Sequence, residues 1–324
     1  MFKTRITELL GIEYPIIGGT MMDVATAPYV AAISNAGAIG ILASAMFKEP
    51  EALRDEIKRT KDLTDKPFGV NINLFPMMAP PDNGKLLEVL ASEGVKVVET
   101  SGFSAPEDLV QLFKQYGMKW MHKCVGVRYA KKAAGLGADA VTVVGYENGG
   151  ATGKLNVTTL VLVPSVVKAV DCPVIGGGGV VDGAGMYSVL SLGAEAVIVG
   201  SRFMLMDECP IHPNLKQALC EAGELDTDII MRSIGFAHRV WMNNPAKKAL
   251  ELENNGADLD AIYPYVSGEA ARRMFEDGDL EAGTVSCSQG IGLVNKVMPA
   301  RDIVLEMVAE AEAMHRRMSE IGFK

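Results

Sequence analysis

Residues 173–202 read PVIGGGGVVDGAGMYSVLSLGAEAVIVGSR. A short β-branched run at 173–176 stops at glycines, a helical stretch follows Asp182, Gly193 ends it, and a second apolar run at 195–199 stops at Gly200-Ser201. That order of strand, crossover helix and strand is a parallel βαβ unit. Working outward, the same phrase recurs toward the amino terminus. Strands are expected at 15–19, 38–42, 67–73, 96–100, 119–123, 139–144, 173–176 and 195–199, with amphipathic helical patterns between them. Eight such units in about 200 residues is the count that closes a (β/α)8 TIM barrel, whereas a doubly wound sheet normally stops at about five to seven strands. Glycines in Asn35-Ala36-Gly37-Ala38, Gly135-Leu136-Gly137-Ala138 and Leu192-Gly193-Ala194-Glu195 are expected to end helices in left-handed caps.

After Ser201 the pattern changes. Residues 205–289 hold helical and polar stretches and no convincing pair of strands, so they are expected to form a mainly helical, substrate-covering insertion after strand eight. Residues 1–204 and 290–324 are left for the barrel. The tail places Ile303, Val304, Met307, Val308 and Ala311 on one helical face, as a helix packing back on the barrel requires.

Composition narrows the function. The 324 residues are 48% hydrophobic and 22% charged, which excludes general disorder. Thirty-one basic against forty acidic residues give a formal net charge of −9, so no global field draws in nucleic acid or an anionic membrane, and neither is expected as a partner. No run of about 18 apolar residues is present, and residues 1–11 are too charged and polar for a signal peptide. A cytoplasmic location is expected. Five cysteines, an odd number without metal-type spacing, are read as reduced structural thiols, and no metal site is expected.

In barrels of this kind the active site lies at the carboxyl ends of the strands, with a phosphate held by the loops after strands seven and eight. Here those loops are Gly176-Gly177-Gly178-Gly179 and Gly200-Ser201. Either they are tight turns needing positive φ, or their N–H groups approach an anion, with Asp182 capping a helix whose amino end also favours negative charge. Other strand ends are polar or glycine-rich as well: Thr20-Met21-Met22, Asn71, His122-Lys123 and the 145–153 loop. Together they describe a cavity for a flat ligand with a phosphorylated tail. Met21 and Met22 serve equally as core, and Lys123 either snorkels to the surface or faces the ligand. Strand alternation lets only one of His122 and Lys123 enter the barrel.

These stretches, with Lys66-Pro67-Phe68-Gly69-Val70-Asn71, Gly137-Ala138-Asp139-Ala140 and Val199-Gly200-Ser201-Arg202-Phe203, resemble the nitronate monooxygenase and 2-nitropropane dioxygenase family of FMN-dependent barrels. FMN-dependent enoyl-acyl-carrier-protein reductases and NADH:quinone reductases are similar. The resemblance implies an FMN site in which Gly178, Gly179, Gly200 and Ser201 hold the phosphate. Thr20, Met21, Met22, Asn71, Lys123 and Gly150 would flank the ring or ribityl chain, and Gln289 lies in a segment that returns to the flavin. The family loop reads Glu-Ala-Gly-Gly-His-Xaa-Gly with a proton-transferring histidine. Here the histidine position is Ala151, which transfers no proton.

His238, in Phe236-Ala237-His238-Arg239, is then the candidate catalytic residue of the covering segment, against the plainer reading of a packed or exposed histidine. Tyr146, Ala151, Thr152, His238 and Arg239 are the candidate substrate contacts. The leading expectation is an FMN oxidoreductase that uses NADH or NADPH to reduce a small-molecule acceptor of conjugated, quinone-like or enoyl-thioester type. The alternative is oxidation of alkyl nitronates by O2. A flavin-free, phosphate-binding dehydrogenase needing a nucleophilic cysteine and a non-catalytic relative are further readings, and assembly as a homodimer is left open.

Overall fold

The computed structural model of the chain describes residues 2–47, 49–75 and 81–321. In chain order the strands are β1 (Ile16–Gly18), β2 (Ile41–Ala43), β3 (Gly69–Asn73), β4 (Val97–Ser101), β5 (Lys119–Cys124), β6 (Ala140–Val144), β7 (Gly150–Ala151), β8 (Val174–Gly177), β9 (Ala196–Val199), β10 (Thr227–Ile230) and β11 (His238–Trp241). Eight of them form one sheet, ordered β1-β9-β8-β6-β5-β4-β3-β2. Every neighbouring pair in it is parallel. Its two ends meet: the Gly18 N–H donates to the Ile39 carbonyl at 2.8 Å, and the Ile39 N–H donates to the Ile16 carbonyl at 3.1 Å. The sheet is thereby a closed (β/α)8 barrel.

Alternation sorts the side chains. In β9, Ala196 and Ile198 join the apolar barrel interior, while Val197 and Val199 pack against the helix layer. The amino-terminal helix Arg5–Leu10, started by a Thr4/Thr7 capping box, contributes Ile6 and Leu10 to the interior cluster and floors the barrel. Gly37, Gly137 and Gly193 have φ of +91°, +95° and +96°, the left-handed conformation expected of them. The final helix, Ala300–Glu320, buries Ile303, Val304, Met307, Val308 and Ala311, the face anticipated from their spacing. No helix among the described residues is long and apolar enough to cross a membrane.

Residues 205–289 differ from expectation in one respect. Besides the helices Pro213–Cys220, Asn244–Asn254, Leu259–Val266 and Gly268–Asp277, they contain the antiparallel pair β10–β11. β7, from the loop after β6, adds to β11 as a third strand. β10 and β11 are four residues each, TDII and HRVW, too short to show a period of two.

The contact between the final helix and the helix Gly183–Ser191 depends on a missing side chain. A Cβ on Gly183 would collide with the Met307 carbonyl and stand 2.6 Å from the Ala311 nitrogen. Gly183→Ala is therefore expected to destabilise the fold by about 1–3 kcal/mol through overpacking, read as a lower denaturation midpoint. A midpoint equal to that of the wild type would show that this helix pair is free to separate.

Candidate active site

A cavity of about 810 Å³ opens at the carboxyl ends of the barrel strands, within the size range of small-molecule sites. The structure brings most of the expected residues to it: Thr20, Met21, Met22, Asn71, Lys123, Gly150, Ala151, Gly178, Gly179, Gly200, Ser201 and His238 all line it. Tyr146, Thr152, Arg239 and Gln289 stand outside its wall. Four phenylalanines also line the space, Phe275 among them: Phe103 packs edge-on to Phe75 at 4.9 Å between ring centroids and lies 6.2 Å from Phe236.

The base of the cavity is a polar network that strand alternation assembles. Asn71 pairs with Glu99 across β3 and β4, and Ser101 with Lys123 across β4 and β5, all at inward positions near the strand ends. Lys123 Nζ lies 2.7 Å from Glu99 Oε1, and Asn71 Nδ2 donates to the same oxygen at 2.8 Å. Lys123 is thus a paired amine inside the mouth and not a snorkelling surface residue. Glu99 is fully buried beneath the cavity wall, and its Oε2 has no partner among the described residues. Its sequence signal is a carboxylate inside an apolar run, Val97-Val98-Glu99, which is absent from the candidate residues above. His122, on the outward face of β5, accepts or donates at Thr100 Oγ1 over 2.8 Å. Burial pushes its imidazole down to about 4.

The glycine run has two explanations along its length. Cβ atoms on Gly176 and Gly177 would strike Val189 and Ile198, so those two are required by packing. Gly178 and Gly179 have φ of +105° and +76° and turn the chain along the cavity. The N–H groups of Gly178, Gly179 and Gly200 donate to no protein acceptor among the described residues. Ser201 Oγ accepts from the Ser288 N–H at 2.9 Å, which leaves its own proton for another acceptor. Asp182 caps the next helix as expected, taking the Gly185 N–H at 2.7 Å. The helix end itself is not an anion site, since the Glu310 carboxylate takes the Gly183 N–H at 2.8 Å. Any phosphate is left to the two loops.

The lid closes over this base as a sheet. In the β7–β11 pair His238 stands opposite Ala151 and Arg239 opposite Gly150, so alternation turns His238 to the cavity and Arg239 away from it. Arg239 is accordingly not a substrate contact. Only 1% exposed, it donates to the Tyr146 carbonyl at 3.2 Å and to Thr227 Oγ1 at 3.1 Å, and its guanidinium lies 4.7 Å from the Tyr146 ring centroid. Tyr146, half-buried, and the buried Arg239 form a strut. Thr152, also buried, ties the loop to the lid by donating its N–H to the Ala237 carbonyl at 3.2 Å. Gln289 supports the 145–153 loop from behind, its N–H donating to the Glu147 carbonyl at 3.1 Å. Just before it, Ser286 and Ser288 face the cavity, a return segment that the sequence reading marked only at Gln289.

Burial raises the thiols of Cys124 and Cys287 to about 12 and that of Cys209 to about 11, so these three are protonated and unsuited to nucleophilic attack. That removes support from a cysteine-dependent dehydrogenase.

The chain matches the nitronate monooxygenase family over residues 3–83 and 76–310. It belongs to that family. Two CoA-ester dehydrogenases, both named (3aS,4S,5R,7aS)-5-hydroxy-7a-methyl-1-oxo-octahydro-1H-indene-4-carboxyl-CoA dehydrogenase, are similar over 95% of this chain and 96% of their own. The one from Mycobacterium tuberculosis is 39% identical and the one from Rhodococcus jostii 32%. FabK from Thermotoga maritima superposes with a TM-score of 0.91 at 35% identity, covering 98% of this chain and 99% of its own. Like its family, the protein is an oxidoreductase.

The Glu99 network yields a test. Glu99→Gln keeps the volume but removes the charge that holds Lys123, and a buried charge-assisted bond is worth about 1.5–3 kcal/mol. An unfolding free energy lowered by about that amount is expected from urea denaturation, seen as a lower midpoint. An unchanged midpoint would mean that Lys123 holds its position without the carboxylate.

Proposed function

We propose that the protein is an FMN-dependent oxidoreductase that uses NADH or NADPH to reduce an unsaturated acyl thioester. The observation that carries this reading is the set of free N–H groups at Gly178, Gly179 and Gly200 beside the Ser201 hydroxyl, at the strand ends where barrels bind phosphate. They fit a phosphomonoester, and the uncharged wall formed by Met21, Met22 and Gly150 fits a flat ring. FMN bound there would supply two-electron hydride chemistry. The chain's own part is to position and to balance charge: Asn71 offers an amide edge, and Lys123 an amine already compensated by Glu99.

The thioester class is supported by the names of the two CoA-ester dehydrogenases and by the cavity itself. Phe75, Phe103 and Phe236 provide an apolar wall for an acyl group, and Lys154, exposed at the rim, suits an anionic tail. Nitronate oxidation with O2 remains as a second reading because of the family, but Ala151 removes the loop base that a neutral nitroalkane needs.

The purified protein is expected to carry a flavin spectrum that bleaches with NADH or NADPH under nitrogen. A colourless protein without FMN affinity would overturn both readings. Gly179→Val, which fills the cradle at a positive φ, should weaken FMN binding far more than Ser201→Ala, which removes one charge-assisted bond and so costs about 10- to 100-fold in Kd. Equal affinity for wild type and Gly179→Val would place the phosphate elsewhere.

A further inference from the structure

The lid sheet pairs Ala151, the position of the family loop's histidine, with a lid histidine that reaches the cavity. His238 and Ala151 are direct partners in the β7–β11 ladder, and both line the cavity. Directly opposed residues of an antiparallel pair share a face, with Cβ atoms about 4.5–5.5 Å apart. An imidazole borne by His238 therefore serves the same space as one borne by residue 151. Its Nε2 lies 3.8 Å from the point a Cβ on Gly150 would occupy, with Ser286 Oγ 3.5 Å from that point.

We propose that His238 supplies, from across this strand pair, the imidazole that the loop lacks at Ala151, and that its Nε2 exchanges the substrate proton. The assignment rests on the thioester reading above. In the deprotonating direction the C–H bond next to the thioester carbonyl breaks and the N–H bond forms, and the electron pair is left on the carbonyl oxygen as an enolate. In the reducing direction the same proton returns to that carbon. The facing positions Ala151, Gly150 and Ser286 are uncharged, and burial alone holds the imidazole down to about 4. The free site thus presents a neutral base. The enolate oxygen formed in the step is a counter-charge that stabilises the imidazolium as it appears.

The test separates this step from cofactor reduction. Enzyme bleached by NAD(P)H under nitrogen is mixed with crotonyl-CoA in a stopped-flow instrument, for wild type, His238→Ala and His238→Ala with Ala151→His. A drop in flavin reoxidation of about 10²- to 10⁴-fold is expected in His238→Ala, with recovery of at least about tenfold in the double variant. In the deprotonating direction, read as exchange of the butyryl-CoA α-proton with deuterated solvent, the wild-type rate should fall as pH drops through about 4, where the base protonates, rather than through the ordinary imidazole value of 6.5, and the limb should be absent in His238→Ala. Unchanged reoxidation in His238→Ala overturns the assignment alone, as does a loss that the double variant does not restore. A protein whose flavin NAD(P)H does not bleach overturns the thioester reading, and this assignment with it.

Discussion

Everything at the site depends on the closure between Gly18, Ile39 and Ile16, because it turns a twisted parallel sheet into a barrel with one inside. Once closed, the sheet leaves each strand residue only two directions. Inward side chains low in the barrel are Ile17, Ile41, Met121 and Ile175, and water is excluded. One pleat higher the same direction carries Asn71, Glu99, Ser101 and Lys123, so the polar groups converge without any loop to guide them. Sharing one oxygen of the buried carboxylate between an amine and an amide offsets part of the desolvation cost of the ion pair there.

The second organising device is the small sheet above the mouth. β7 belongs by sequence to the barrel's sixth unit, yet its partner is in the covering segment. The loop and the lid are therefore one structure, braced beneath by Arg239 against Tyr146 and behind by the return segment at Ser286 and Ser288. This is why Arg239, which looks like an anion-recognition residue in sequence, is structural: a one-residue step along β11 exchanges cavity for core.

The barrel was legible because its signals are local. Positive-φ glycines, a capping aspartate and apolar runs each act within a few residues, and Gly37, Gly137, Gly193 and Asp182 behave as their neighbours imply. The cofactor-side residues followed from strand ends for the same reason. What stayed hidden depends on distant partners. Glu99 gains its role from Lys123 one strand away, Glu310 claims a helix end 127 residues earlier, and the hairpin is too short to announce itself. Ala151 showed in sequence that a group was missing, but only the strand register shows what stands opposite.

The lid sheet also has a kinetic meaning. The Thr152–Ala237 and Ser288–Ser201 bonds span 85 and 87 residues, and the β1–β9 pairing that completes the barrel joins Ile16 to Val197. Closing so long a loop is entropically unfavourable until its far contacts exist. Barrel seam and catalytic mouth alike therefore wait for the later part of the chain to meet the earlier. Scaffold and site thus share one long-range requirement, and local contacts alone finish neither.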